Sequence, residues 1–270
     1  MNDIAVMMSV YHADRLDYLK EALESLYCQV PRPDIYVQQD GKVEDSIEAY
    51  LSKSEECGQI VYLGKRDDNK GLAMSLNGLL EKVLVKPYTY IARMDADDIS
   101  VPERMAEQYT FMEKNRDIDV VGGYIEEFSD DNGYHKIVQY PLKHDEMYQF
   151  FSKRVPLAHV TAFFRRSFFE KVGLYPVESP TNEDTLLWMS GFKYECLFAN
   201  IPEILVKVRV NLDFFGRRGG WKKAWNDFND RIKVIQTLGY NKSSYIYALG
   251  MLFVNISPSF IKKFLYQRLR

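Results

Sequence analysis

The chain has 270 residues, 35 Lys and Arg against 38 Asp and Glu, a formal net charge of -3 and three cysteines. That length supports one large α/β domain, or such a domain with a helical appendage, and a full buried core. The slight acidity excludes a nucleic-acid binder as a whole, and Cys28, Cys57 and Cys196 lie too far apart for a disulfide framework or a zinc cluster, which suits a reducing cytoplasm.

Met1-Asn2-Asp3 lead directly into an apolar run with no basic flank, so no signal peptide is expected. Ile4 to Val10 reads as a strand that stops at Tyr11-His12-Ala13-Asp14, and Leu16, Leu19, Leu23 and Leu26 then recur at helical spacing. Asp34 to Gln38 gives a second strand ending at Asp40-Gly41, with a helix through Ile47, Tyr50 and Leu51. Ile60 to Leu63 gives a third, followed by a polar loop from Lys65 to Lys70 and a helix from Leu72 to Leu84. Tyr88 to Met94 gives a fourth, which runs into Asp95-Ala96-Asp97-Asp98. Strands alternating with helices imply a mainly parallel sheet whose ligand crevice lies at the strands' carboxyl ends. The polar tips therefore face one cleft.

Beyond it, Val120 to Phe128 and Tyr134 to Tyr140 flank the turn Asp130-Asp131-Asn132-Gly133 as a hairpin, and Pro156 to Phe164, with His159 inside it, has strand character. From Trp221 onward the pattern is helical and Asp230 is the last acidic residue. Ile246 to Ile256 is the longest apolar candidate and is too short for the roughly 18 residues of a membrane span.

Three carboxylates in four residues at the end of an apolar strand repel one another unless a cation neutralises them. Hard divalent ions such as Mn²⁺ or Mg²⁺ accept carboxylate oxygens together with substrate phosphates, so Asp95, Asp97 and Asp98 suggest a metal-diphosphate site, either Asp97 or Asp98 being the main ligand. The plainer alternative is a solvated turn before a helix starting near Pro102 and capped by Ser100. Thr181-Asn182-Glu183-Asp184 reads as acids in the first turn of a buried helix, a position the helix dipole favours by itself. Arg217 and Arg218, among Gly216, Gly219 and Gly220, read either as a plain surface loop or as a basic loop able to close over a diphosphate.

Over roughly residues 4 to 210, these motifs resemble glycosyltransferase family 2, the GT-A fold group that builds bacterial O-antigens, capsules and exopolysaccharides of the amylovoran type. The resemblance implies an α/β, Rossmann-like fold with a nucleotide-binding half over 1–100, an acceptor-binding half over 101–215 and a helical segment over 216–270. It implies that Ser9 and Tyr11 line the nucleobase, that Asp40 reads the uracil edge, and that the block Asn69 to Asn77, with Lys70, Gly71 and Asn77, lies over the uridine. Gln39-Asp40 stands where the family usually has two successive acids. Asp95-Ala96-Asp97-Asp98 is the DxD element, its acids shared between ribose hydroxyls and a Mn²⁺ or Mg²⁺ ion with Arg93 as a further nucleotide-sugar contact, and Asp184 matches the general base, with Glu183 and His159 as acceptor or donor contacts.

The implied reaction is inverting transfer from a UDP-sugar to an oligosaccharide on a polyprenyl diphosphate carrier, at the inner face of the cytoplasmic membrane. Residues 242–270 contain no acid, and Phe260, Ile261, Phe264, Leu265 and Leu269 recur at helical spacing beside Lys262, Lys263 and Arg270, the pattern of a helix lying in a membrane interface. The Gln-x-x-Arg-Trp element of processive members is absent, which points to single transfer. The competing readings are a sugar-1-phosphate nucleotidyltransferase, disfavoured because Tyr11 to Arg15 contains no Gly, and a non-catalytic nucleotide-sugar binding module. A haloacid-dehalogenase phosphatase expects its Asp pair on the first strand, and a dehydrogenase needs GxGxxG.

Overall fold

The structure, a computed structural model, describes residues 3–179, 181–210 and 221–257. Its strands are β1 (Ile4–Tyr11), β2 (Asp34–Asp40), β3 (Tyr62–Arg66), β4 (Tyr90–Asp95), β5 (Ile99–Ser100), β6 (Val120–Phe128), β7 (His135–Val138), β8 (Phe163–Arg165) and β9 (Phe198–Arg209). The helices are α1 (Leu16–Tyr27), α2 (Asp45–Glu56), α3 (Leu72–Val83), α4 (Arg104–Lys114), α5 (His144–Phe151), α6 (Arg166–Val172), α7 (Glu183–Lys193), α8 (Trp221–Thr237) and α9 (Ser243–Ile256).

Among the described residues the strands form one sheet in the order β3-β2-β1-β4-β8-β6-β9-β5, with β7 paired to β6. The first four strands are mutually parallel, β8 and β7 run antiparallel to their neighbours, and β9 is again parallel to β6 along its whole length. The sheet is buried on both sides, as side-chain alternation on β1 shows. Ile4, Val6, Met8 and Val10 pack with Leu19, Leu23, Ile47, Leu51 and Met105 on one face, while Ala5 and Met7 pack with Leu76, Leu79, Leu80, Phe151 and Trp188 on the other. Helices α1, α2 and α4 thus cover one face, and α3, α5 and α7 the other.

Three local expectations shift. The third strand lies over Tyr62–Arg66 rather than 60–63, because β2 offers ladder partners from Tyr36 to Asp40, and pairing with these carries the strand into the polar stretch. The segment around His159 is a single 3-10 turn, His159–Thr161, ahead of β8. The Thr161 amide and hydroxyl both donate to the Ala158 carbonyl at 2.9 and 2.8 Å, a local bond that competes with extension. Ser100 does not cap a helix: it sits in β5 opposite Val206, and α4 begins only at Arg104. The hairpin of β6 and β7 and the helix starting at Glu183 lie where the sequence places them. No described helix is long and apolar enough to cross a membrane.

Candidate active site

Strand register brings the first half of the site together. Ser9 is paired with both Gln38 and Asp95, Tyr11 with Asp40, and Asp40 with Arg66, so the carboxyl ends of β1, β2, β3 and β4 share one edge. Asp40 is almost fully buried, and its two oxygens accept the backbone N–H groups of Lys70 (3.0 Å) and Gly71 (2.8 Å), with the Arg66 guanidinium 3.5 Å away. The loop that precedes α3 is thereby pinned to the end of β2. Gly41 is required beside it, since it holds φ +86° and a Cβ there would stand 2.8 Å from the Asn69 backbone nitrogen. Lys70 itself is exposed at the rim.

Oxygens of Asp95, Asp97 and Asp98 all lie within 4.8 Å of one another. Burial, followed by the Asp95 charge, pushes Asp97 up to about 6, and burial followed by Asp97 and Asp95 holds Asp98 well above the usual carboxylate range. Asp14, at the turn after β1, joins this field. Burial raises it to about 7 although the Tyr11 amide donates to it at 2.8 Å, and Asp97 and Asp95 raise it further. The donor set fits a hard divalent cation: the three oxygens converge, and like charges this close favour a cation between them.

Three arginines lie around the cluster. Arg93, buried beneath the cluster, pairs with Asp95. Arg104 is fully buried without a carboxylate partner, donating to the Arg93 carbonyl at 2.8 Å, and burial lowers it to about 9. Arg209, at the end of β9, holds the acidic turn from its outer side. Its amide donates to Asp98 Oδ1 at 2.9 Å and its Nε to the Asp97 carbonyl at 3.1 Å, while its guanidinium pairs with Glu21 and Asp130 and stacks on Tyr18. Neither Arg209 nor Asp14 stands out in the sequence, where Arg209 reads as one more alternating residue of a strand.

Arg93 also links the two halves. Burial works against its charge, but Asp95, Tyr175, Asp98 and Glu183 outweigh it, and its field in turn favours the ionised form of Asp184. Glu183 and Asp184 open α7. Burial, with Asp184 next, lifts Glu183 to about 7. Asp184 is also raised, by burial, against the Thr185 amide (2.6 Å) and hydroxyl (3.3 Å), which both donate to its Oδ1. Burial and then Arg93 drive His159 well below its ordinary range, and it shares a 3.0 Å hydrogen bond with the Tyr175 hydroxyl. Asn77 is engaged across the sheet edge: its amide donates to the Tyr175 carbonyl at 2.9 Å and accepts the Tyr175 N–H at 2.8 Å. Arg217 and Arg218 lie outside the described residues, as does the amphipathic stretch from Phe260 onward.

Residues 5–173 match the model of glycosyl transferase family 2. The chain belongs to that family. The amylovoran biosynthesis glycosyltransferase AmsE of Erwinia amylovora is 29% identical over 267 residues, covering 98% of each chain. The UDP-Gal:alpha-D-GlcNAc-diphosphoundecaprenol beta-1,3-galactosyltransferase of Escherichia coli is 26% identical over 270 residues, 98% of this chain and 95% of that one. Among solved structures, the mannosyltransferase PcManGT of Pyrobaculum calidifontis, in complex with GDP-Man and Mn²⁺, superposes with a TM-score of 0.61 at 14% identity, over 98% of this chain and 79% of the other. The family 2 chain is a glycosyltransferase with the GT-A fold, its sheet mostly parallel and its last described elements helical.

Proposed function

We propose that this family 2 enzyme is a metal-dependent, inverting transferase that moves a hexose or N-acetylhexosamine from a UDP-sugar to a hydroxyl of an oligosaccharide carried on a polyprenyl diphosphate, in bacterial surface polysaccharide synthesis. The observation that carries it is buried Arg93, which pairs with Asp95 of the acidic run Asp95 to Asp98 and whose charge is sustained by Asp95, Asp98 and Glu183 and favours ionised Asp184. The names of the Erwinia and Escherichia relatives support the polysaccharide setting, and the latter supports a UDP donor and a lipid diphosphate acceptor.

In this reading residues 1–100 bind the nucleotide, 101–215 the acceptor, and 216–270 form the helical segment. Ser9 and Tyr11 line the nucleobase, and Asp40 holds the Lys70-Gly71 loop over the uridine. Arg93 and Asp95 face the ribose and the sugar. Asp97 and Asp98 would hold the Mn²⁺ or Mg²⁺ ion, which when bound neutralises the diphosphate leaving group. The Asp184 carboxylate accepts the acceptor hydroxyl's proton as that oxygen attacks the anomeric carbon. The bond to the UDP oxygen breaks on the opposite face, its electron pair leaves with UDP, and the anomeric configuration inverts. Glu183, raised to about 7, is partly protonated near neutrality and is able to donate to an acceptor oxygen. His159 supports Tyr175 beside the acceptor, and Arg217 and Arg218 close over the diphosphate.

The membrane setting has its own support. Helix α9 leaves Ile246 (71% exposed) and Phe253 (65% exposed) uncovered, with Leu249 and Ile256 on the same stripe, and no acid follows Asp230 in the chain. The reaction is tested by the product's anomeric coupling in NMR. A β linkage from an α-linked UDP-sugar is expected, and an α linkage would overturn inversion and with it the role of Asp184.

A further inference from the structure

We infer that α8 is a built part of the catalytic machinery, and that Asp230 on it is a positioning residue for the Glu183-Asp184 pair. The inference rests on reading Asp184 as the base. Asn182 is the N-cap residue of α7, where an Asn side chain ordinarily accepts a hydrogen bond from its own helix's first-turn amides. Here it makes no such bond. Its amide instead donates across to α8, to Asp230 Oδ2 at 2.8 Å and Asp227 Oδ1 at 2.9 Å. The same Asp230 oxygen accepts the Ser179 hydroxyl at 2.6 Å, so one carboxylate grips the chain on both sides of residue 180.

The surrounding contacts extend that grip. Lys233 on α8 pairs with Glu178 at 2.9 Å, and Lys223 holds Asp227 at 2.9 Å. Asn255 on α9 donates to Asp227 at 3.3 Å, which ties the second C-terminal helix into the same network. Arg231, buried with its Nη1 on the Phe151 carbonyl at 2.6 Å, adds a positive field that favours ionised Asp184. The side chain that would ordinarily cap its own helix is redirected here to fix the start of α7 against a distant element. Glu183 and Asp184 are the next two residues, and their direction follows from where Asn182 is held. The C-terminal pair of helices thus sets the aim of the base, and its other face carries the exposed apolar stripe of α9.

The test compares Asp230→Leu, Asp230→Asn and Asn182→Ala with the wild type and with Asp184→Asn. Three quantities are read: UDP release from whichever of UDP-glucose, UDP-galactose, UDP-GlcNAc or UDP-GalNAc the wild type turns over, the Kd for UDP with Mn²⁺, and hydrogen exchange of amides 183–187. Misplacing a catalytic group by an ångström costs on the order of 100-fold, so Asp230→Leu is expected to lose roughly that much kcat. Its UDP affinity should stay within about twofold, because the nucleotide half is untouched. Exchange at 183–187 should rise. Asp230→Asn keeps an acceptor oxygen for Ser179 and Asn182 and should restore kcat to within about threefold of the wild type. Wild-type kcat and unchanged exchange in Asp230→Leu, with Asp184→Asn inactive, would overturn the positioning role. Turnover by Asp184→Asn would instead sink the base assignment, and the exchange result would still decide whether α8 orders this segment. If Asp230→Leu does not fold, Asn182→Ala removes its bonds to Asp227 and Asp230 from the other partner and carries the same expectations.

Discussion

The two sides of the site are built by different means. At the strand ends, neighbouring parallel strands deliver Ser9, Tyr11, Asp40 and Asp95 to one edge by ladder register alone. Around the start of α7 no such ladder lies among the described residues. Tyr175 is held by Asn77 through two hydrogen bonds, and Asn182 by Asp227 and Asp230, all bonds between elements far apart in the chain. A strand end positions its carboxylates as a by-product of folding, whereas the Glu183-Asp184 pair depends on a few side-chain bonds that a single substitution can remove.

The predictions sharpen that contrast. The largest effect is expected for Asp184→Asn, which removes the proposed base: kcat should fall by roughly 100- to 10,000-fold while UDP binding, measured by calorimetry, stays unchanged. Asp98→Asn comes next. It keeps an oxygen for the Arg209 amide (2.9 Å) but removes the ligand charge, so Mn²⁺ affinity should drop roughly 10- to 100-fold with little change in melting temperature. Gly41→Ala breaks the ladder side through the backbone, since φ +86° and the 2.8 Å approach to Asn69 leave no room for a methyl group. A stability loss of about 1–3 kcal/mol in urea unfolding and weaker UDP binding are expected.

Activity should also depend on pH in a direction fixed by burial. Asp184 must be ionised to act, and its proton affinity is raised, so kcat should fall as pH drops through a midpoint above the ordinary Asp value of about 3.9. A pH-rate profile flat down to that value would contradict a buried base. The smallest expected effect is on the membrane. Full-length protein should float with anionic vesicles more than with neutral ones, and Ile246→Glu with Phe253→Glu, or truncation after Tyr240, should reduce flotation. Equal flotation of all forms would separate the C-terminal helices from the membrane.

The same contrast explains what could be read in advance. The apolar alternation of β1, the Asp95 to Asp98 run and the acids opening α7 are local patterns, and each lies on the element expected of it. β3 moved because a strand's extent is set by its partner, here β2, and not by its own apolar run. Asp40 and Asn77 draw attention in the sequence, but their bonds to Lys70, Gly71 and Tyr175 do not, because such bonds join residues about 30 and 98 positions apart. Arg209 left no trace in the sequence for the same reason: its partners Glu21 and Asp130 come from α1 and the β6–β7 turn. The tie from Asp230 to Asn182 is hidden twice over, since an Asn before two acids reads as an ordinary helix cap.

The most direct test of the account is UDP release from a panel of UDP-sugars, with a polyprenyl-diphosphate-linked oligosaccharide as acceptor, in Mn²⁺ and in EDTA. Turnover of at least one UDP-sugar in Mn²⁺, abolished by EDTA and by Asp97→Ala or Asp98→Ala in a folded protein, is the predicted result. Full turnover in EDTA would contradict it.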